Sequence, residues 1–269
     1  MVDQVSTGRV KVTRRLRNRK FRAASGEFVV EGAQACREAV RCGAAQRVLA
    51  TEAAAQQYPE IVAGGFERLL PGQVGELTTT VTPQGIFAIC HLAPVSLAEL
   101  VADAPRLVVI CAQVRDPGNL GTVIRCADAF GADAVIVTTG SVDPTGPKAV
   151  RASVGSLFHL PVVSGVDLGE AVAAVKRAGL AVLAADARGE GLNDLAAGGD
   201  LARPIAWLIG NEAWGLPEPD VALADRRVAI PMWGRAESLN LSTAAAICLY
   251  ATASAQRHQD STGGNSGDR

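Results

Sequence analysis

The chain has 269 residues, of which 48% are hydrophobic and only 4% aromatic, with a formal net charge of −1 at pH 7. That length suits two compact domains of unequal size, and the near-neutral charge excludes a protein that coats nucleic acid by bulk charge while leaving room for a local basic site. The six cysteines form no C-x-x-C pair and the three histidines show no ligand spacing, so we expect reduced thiols and no metal. The charged N-terminus lacks an apolar signal segment and no apolar run is long enough to span a bilayer, which predicts a cytoplasmic protein without a membrane partner.

Residues 1–25 are predicted as a basic arm carrying Arg14, Arg15, Arg17, Arg19, Lys20 and Arg22. A solvated basic face would account for them, but the remainder of the chain is net acidic, which favours a phosphate-contacting segment. Residues 28–30 read as a short strand, 33–41 as a helix and 46–50 as a second strand. Thr51 is a natural N-cap for the next helix. Strands at 69–70 and 86–91, the latter after the turn Thr82-Pro83-Gln84-Gly85, complete a small α/β domain over 26–92. Residues 93–105 are expected as a linker with one short helix.

A second α/β domain is expected over 106–256. Residues 106–112 read as a strand, and after Arg106 the run is unbroken and apolar, the pattern of a parallel strand buried on both faces. A helix at 118–130 and a strand at 134–138 complete a βαβ unit. Further strands are predicted at 160–163, 181–185, 205–209 and 228–232, and an Ala-rich helix at 241–255. Residues 257–269, rich in Ser, Gly, Asn and Asp, are predicted to be a disordered tail.

The βαβ pattern invites a nucleotide reading, which fails. The turn from Val114 to Gly121 lacks G-x-G-x-x-G spacing, and Lys148 near Gly140 is followed by Ala149 rather than Ser or Thr. Three other segments place polar residues where core elements end. In the first, Asn119 sits in a helical turn whose start is set by Pro117-Gly118, with Arg125 further along. In the second, the apolar Trp207-Leu208-Ile209 runs into Gly210-Asn211-Glu212, a position where open α/β sheets bind ligands. The third runs from Ile230-Pro231-Met232 through a loop to Ser238-Leu239-Asn240-Leu241-Ser242. Helix capping alone could explain Ser238 and Asn240, and no segment is decisive by itself.

Together and in this order the three segments resemble the SPOUT superfamily, and within it the TrmH/SpoU-type RNA 2′-O-methyltransferases. The N-terminal stretches Lys20-Phe21-Arg22, Phe28 to Gly32 and Thr82 to Ile86 resemble that family's L30e/L7Ae-like substrate-binding domain. The resemblance implies an α/β SPOUT catalytic domain with a C-terminal trefoil knot, preceded by the small L30e-like domain. It implies S-adenosylmethionine held largely by main-chain groups near Gly210, Ile230 and Leu239, with Leu208, Ile209 and Met232 alongside. It also implies a homodimer joined through the catalytic domain.

By the same resemblance Arg125 is the first candidate catalytic residue. Guanidinium stays protonated in proteins, so a literal Arg base is awkward; binding phosphate or stabilising a developing alkoxide fits better. Asn119 is expected to orient the ribose and Arg125, Glu212 to hold Arg125 or another catalytic group, and Ser238 and Asn240 to shape the site. The RNA partner is structured, with large-subunit (23S) ribosomal RNA ahead of transfer RNA. The alternative from another class is a non-catalytic RNA-binding or ribosome-assembly protein, against which the intact polar set speaks.

Overall fold

A computed structural model of the protein describes residues 3–263. It opens with helices α1 (Thr7–Arg15) and α2 (Arg19–Ser25), then β1 (Glu27–Glu31), α3 (Ala33–Arg41) and β2 (Ala45–Ala50). There follow α4 (Glu52–Gln57), α5 (Pro59–Val62), β3 (Glu67–Arg68), α6 (Pro71–Leu77) and β4 (Ile86–His91). The chain continues through α7 (Leu97–Ala102), β5 (Leu107–Cys111), α8 (Pro117–Phe130), β6 (Ala134–Thr138), α9 (Pro147–Ser153) and β7 (Val162–Val166). It ends with α10 (Leu168–Arg177), β8 (Ala181–Gly191), α11 (Leu192–Ala197), β9 (Ile205–Ile209), α12 (Glu218–Val221), β10 (Arg226–Ala229) and α13 (Leu241–Gly263). Among the described residues no helix is long and apolar enough to cross a membrane.

Internal packing divides the chain into two compact units. Among the described residues, the first joins 3–93 with Asp143–His159; the second joins Pro94–Val142 with 160–263. Residues 143–159 fall within the stretch expected to form the second domain, yet they pack with the first. Three contacts explain this. Asp143 pairs with Arg22 at 2.7 Å, Arg151 donates to the Thr79 hydroxyl at 2.6 Å, and Gly155 (φ +102°) lies where a Cβ would come within 2.7 Å of Glu38 Cγ.

In the first unit the sheet order is β1-β4-β2-β3, with β4 antiparallel to both β1 and β2 and β3 parallel to β2. The basic arm is part of this unit's core. Ser6 and Asn18 cap α1 and α2, and Val5, Val10 and Leu16 pack with Leu49, Leu69, Leu77, Phe87 and Ile89. The Thr82–Gly85 turn has a folding role: α3 begins after Gly32 (φ +99°), which has no side chain to cap it. Gln84 Oε1 supplies the missing acceptor for the Ala33 amide at 2.7 Å.

Arg22 corrects the expectation that it contacts RNA. Its side chain is only 7% exposed, and its guanidinium donates to Asp143 and, at 2.8 Å each, to the Leu16 and Arg17 carbonyls. It ties the arm to α9's segment. Arg22→Met is expected to cost about 3–5 kcal/mol, the usual result of orphaning one member of a buried pair. Urea unfolding checks this, and an unchanged midpoint would contradict it.

In the second unit six parallel strands follow the order β10-β8-β9-β5-β6-β7. The strands β5, β6 and β9 are buried along their whole length, as their continuous apolar runs require. The chain runs outward from β5 to β7 and then returns on the other side, so the strand order reverses between β5 and β9. Crevices at such reversals, outside the carboxyl ends of the strands, are where open α/β sheets bind ligands.

Several predicted boundaries move: the strand expected at 69–70 lies at Glu67–Arg68 and the one expected at 160–163 at Val162–Val166. The strand expected at 181–185 extends to Gly191, and the one expected at 228–232 is Arg226–Ala229. The terminal helix does not stop at 255. Gln256 donates to the Arg106 and Arg203 carbonyls at 3.1 and 2.9 Å, while Trp207 Nε1 donates to Thr252 at 2.9 Å within the core. Anchored by these bonds, α13 continues through Gly263, so residues 257–263 of the expected tail are helical. Residues 264–269 lie outside the described chain.

Candidate active site

The site is assembled from the loops that leave β5, β9 and β10. At the first loop Asp116 caps α8, accepting from the Asn119 amide at 2.9 Å, and Pro117 takes the first helical position. This places the Asn119 side chain on the opening turn. At the second loop Asn211 is buried and donates to the Gln113 carbonyl at 2.7 Å. Next to it, Glu212 accepts from the Arg115 amide at 3.2 Å, the Asp116 amide at 3.0 Å and Asn119 Nδ2 at 3.2 Å. At the third, Asn240 accepts from the Ser242 amide and hydroxyl as the entry cap of α13 and donates to Asn119 Oδ1 at 3.1 Å.

The Glu212–Asn119–Asn240 chain fixes both amides. A carboxylate can only accept, so Asn119 must turn its Nδ2 to Glu212 and its Oδ1 to Asn240. Burial opposes ionisation of Glu212, but the Asp116 amide, its own amide, the Asn119 side chain and the Arg115 amide outweigh it and hold the carboxyl below its ordinary 4.5. A lowered folded value means the carboxylate stabilises above the ordinary pKa and loses that contribution as pH falls through the folded one. Glu212→Gln is therefore expected to flatten the fall of the unfolding midpoint below about pH 4.5. Midpoints across pH 2–6 check this, and an unchanged slope would contradict it.

Gly210 is required by close backbone approach. A Cβ there would lie 2.5 Å from the carbonyl carbon and oxygen of Gly215, because Asn211 and Gly215 exchange two backbone hydrogen bonds of 2.9 Å each. The loop closes beside a cavity of about 390 Å³ whose walls include Ile209, Gly210, Glu212, Ile230, Met232, Ser238 and Leu239. Seven expected site residues thus meet at one cavity. Leu208 is not among them: its side chain is fully buried in the sheet core.

Arg125 is exposed on α8 and does not line the cavity. Of the two partners expected for Glu212, Arg125 or another catalytic group, the structure gives the second: Glu212 holds the start of α8 and Asn119. The cavity also has walls that the sequence reading missed, namely Asp186, Arg188, Trp214 and Glu237. The available signal was the polar run Asp186-Ala187-Arg188-Gly189 directly after an apolar strand. In the first unit, Arg14 pairs with Glu76 at 3.6 Å, Arg15 lies 5.6 Å from the centre of the Phe21 ring, Arg17 donates to the Thr78 carbonyl, and Arg19 and Lys20 are exposed.

Comparison with known proteins matches residues 106–250 to the SpoU rRNA methylase family. The chain belongs to the SpoU rRNA methylase family. Residues 8–88 match the MRM3-like substrate binding domain. Among SpoU-type relatives, the 23S rRNA (guanosine(2553)-2′-O)-methyltransferase RlmP of Bacillus subtilis is 32% identical, with 93% of this chain and 97% of the relative covered. The 23S rRNA (uridine(2479)-2′-O)-methyltransferase of Streptomyces viridochromogenes is 34% identical, covering 87% and 85%. The crystal structure of the SpoU methyltransferase AviRb from the same organism, in complex with the cofactor AdoMet, superposes with a TM-score of 0.82 at 31% identity, covering 95% of this chain and 99% of that one. The stretch matched to the SpoU model contains Asn119, Arg125, Gly210, Glu212, Ser238 and Asn240.

Proposed function

We propose that the chain transfers a methyl group from S-adenosylmethionine to a ribose 2′-hydroxyl of 23S ribosomal RNA. The observation that carries this reading is the joining of Asn119, Glu212 and Asn240 at the edge of a cavity walled by Gly210, Ile230 and Leu239. The two relatives named as 23S rRNA 2′-O-methyltransferases, both matched over most of their length, support the substrate.

The cavity fits the cofactor. Its volume lies in the range of small-molecule sites. Ile209, Val228, Ile230 and Leu241 offer apolar surface to a purine, and Glu212 and Glu237 suit a cationic ligand. Main-chain groups at Gly210, Ile230 and Leu239 would hold it, with Met232 beside them. When bound, the cofactor supplies an electrophilic methyl group on a sulfonium. The chain's own tasks are then to position and activate a weakly acidic hydroxyl.

Asn119, whose amide is fixed from both sides, orients the ribose. Ser238 and Asn240 shape the entry. Arg125 binds an RNA phosphate or stabilises the developing alkoxide, since its guanidinium keeps its proton. Because Arg125 lies outside the walls of its own chain's cavity, we read the working unit as a homodimer through the catalytic domain, with Arg125 of one copy serving the other's site. The exposed Tyr250 of α13, packed edge-on to Phe130 of α8 at 5.7 Å, offers apolar surface for that contact.

A C-terminal trefoil knot belongs to the same reading. The first unit is assigned to RNA binding as an L30e-like domain, through Arg14, Arg15, Arg17, Arg19 and Lys20, and the enzyme to the cytoplasm. The test is transfer of labelled methyl from S-adenosylmethionine to unmodified 23S and transfer RNA. Label in 23S RNA is expected; label in neither RNA, or in transfer RNA alone, would overturn the substrate assignment.

A further inference from the structure

The bulge in β8 builds a wall of the cavity from a segment that none of the three motifs includes. Arg227 and Val228, adjacent on β10, pair with Ala184 and Glu190 of β8, so the residues between are pushed out of the ladder. Asp186, Ala187 and Arg188 line the cavity from this bulge. The Asp186 side chain is only 9% exposed, and the residue is part of the cavity wall.

That carboxylate is held rigidly. Asp186 Oδ1 accepts from the Arg188 amide at 2.9 Å and from Arg188 Nε at 3.1 Å, and Oδ2 accepts from the same guanidinium at 3.0 Å. Arg188 pairs in turn with Glu218 at 2.9 Å, and Glu218 is held from its other side by Arg227. The chain of pairs fixes the carboxylate and balances its charge. A carboxylate has about four acceptor sites, so lone pairs remain, chiefly on Oδ2. With Arg188 matching the charge, a second cation gains little there, whereas a neutral donor gains a well-placed acceptor. A carboxylate at the carboxyl end of a parallel strand is also how dinucleotide folds hold ribose hydroxyls, although here a different loop provides it.

We propose that Asp186 accepts hydrogen bonds from the ribose hydroxyls of the cofactor's adenosine and thereby sets cofactor affinity. This rests on the S-adenosylmethionine reading above. Arg188 is the positioning residue that aims the carboxylate.

The test is calorimetric titration of the full chain with S-adenosylhomocysteine, its 2′-deoxy and 3′-deoxy analogues, and 5′-methylthioadenosine, which keeps the ribose but lacks the amino acid. The intact protein is expected to bind at least one deoxy analogue about 10–100-fold more weakly, the range for a hydrogen bond to a charged group. Asp186→Ala is expected to weaken S-adenosylhomocysteine and methylthioadenosine by a similar factor and to lose the discrimination against the deoxy form. Asp186→Asn, which preserves packing and one acceptor oxygen, is expected to lose less.

Retained discrimination in Asp186→Ala would overturn the proposal. So would a loss for S-adenosylhomocysteine without one for methylthioadenosine, which would give the carboxylate to the ammonium group. Failure of the intact protein to bind S-adenosylhomocysteine at all would instead remove the cofactor reading, and this inference with it.

Discussion

Arg125→Ala is expected to lower methyl transfer by about 10²–10³-fold, the range for removing one group that stabilises a developing oxyanion, with S-adenosylhomocysteine affinity and unfolding midpoint unchanged. The second half follows from position: Arg125 is exposed on α8 and forms no wall of the cavity. The same position gives a sharper test by mixing variants. If Arg125 serves the other copy's site, dimers of Arg125→Ala with Asn119→Ala contain one site with both residues intact, and activity returns. If each chain uses its own Arg125, every site in the mixture lacks one residue and activity stays low. Normal turnover by Arg125→Ala alone would remove Arg125 from the chemistry.

Gly210→Ala is expected to weaken cofactor binding by at least about a hundredfold and to destabilise the second unit by about 1–3 kcal/mol, the usual cost of overpacking. The added methyl would meet Gly215 backbone atoms at 2.5 Å and Leu216 Cγ at 2.7 Å. Backbone cannot swing aside as a side-chain end can, so the paired hydrogen bonds between Asn211 and Gly215 must open. That moves the main chain assigned to the cofactor and loosens Glu212 next to it. Titration with S-adenosylhomocysteine, together with thermal unfolding, reads both effects. Unchanged affinity would show that this loop does not approach the cofactor closely.

The sheet was legible because its signal is local. Continuous apolar runs marked β5, β6 and β9, and Pro117-Gly118 marked the start of α8. The site's connectivity was not legible, because it depends on bonds between distant residues. Asn119 meets Glu212 and Asn240 across 93 and 121 positions of chain, and no periodicity records such pairs; only the resemblance grouped them. Other misses have the same cause. Arg22 looks like its basic neighbours, and only the arrival of Asp143 from a remote segment makes it structural. The apolar run stops after Ala185, yet β10 resumes pairing at Glu190 and Gly191, so β8 outlasts its own pattern. Gln84 reads as a turn residue, and its service as the cap of α3 appears only when the two segments meet.

The most direct test of the account is the chemical position of the transferred methyl group. RNA labelled by the enzyme from S-adenosylmethionine would be digested with alkali, which cleaves through the 2′-hydroxyl and so leaves a 2′-O-methylated nucleotide joined to its 3′ neighbour. The account predicts label in an alkali-resistant dinucleotide from one position of 23S RNA, absent when Arg125→Ala is used. Label released in mononucleotides would place the methyl on a base and contradict it.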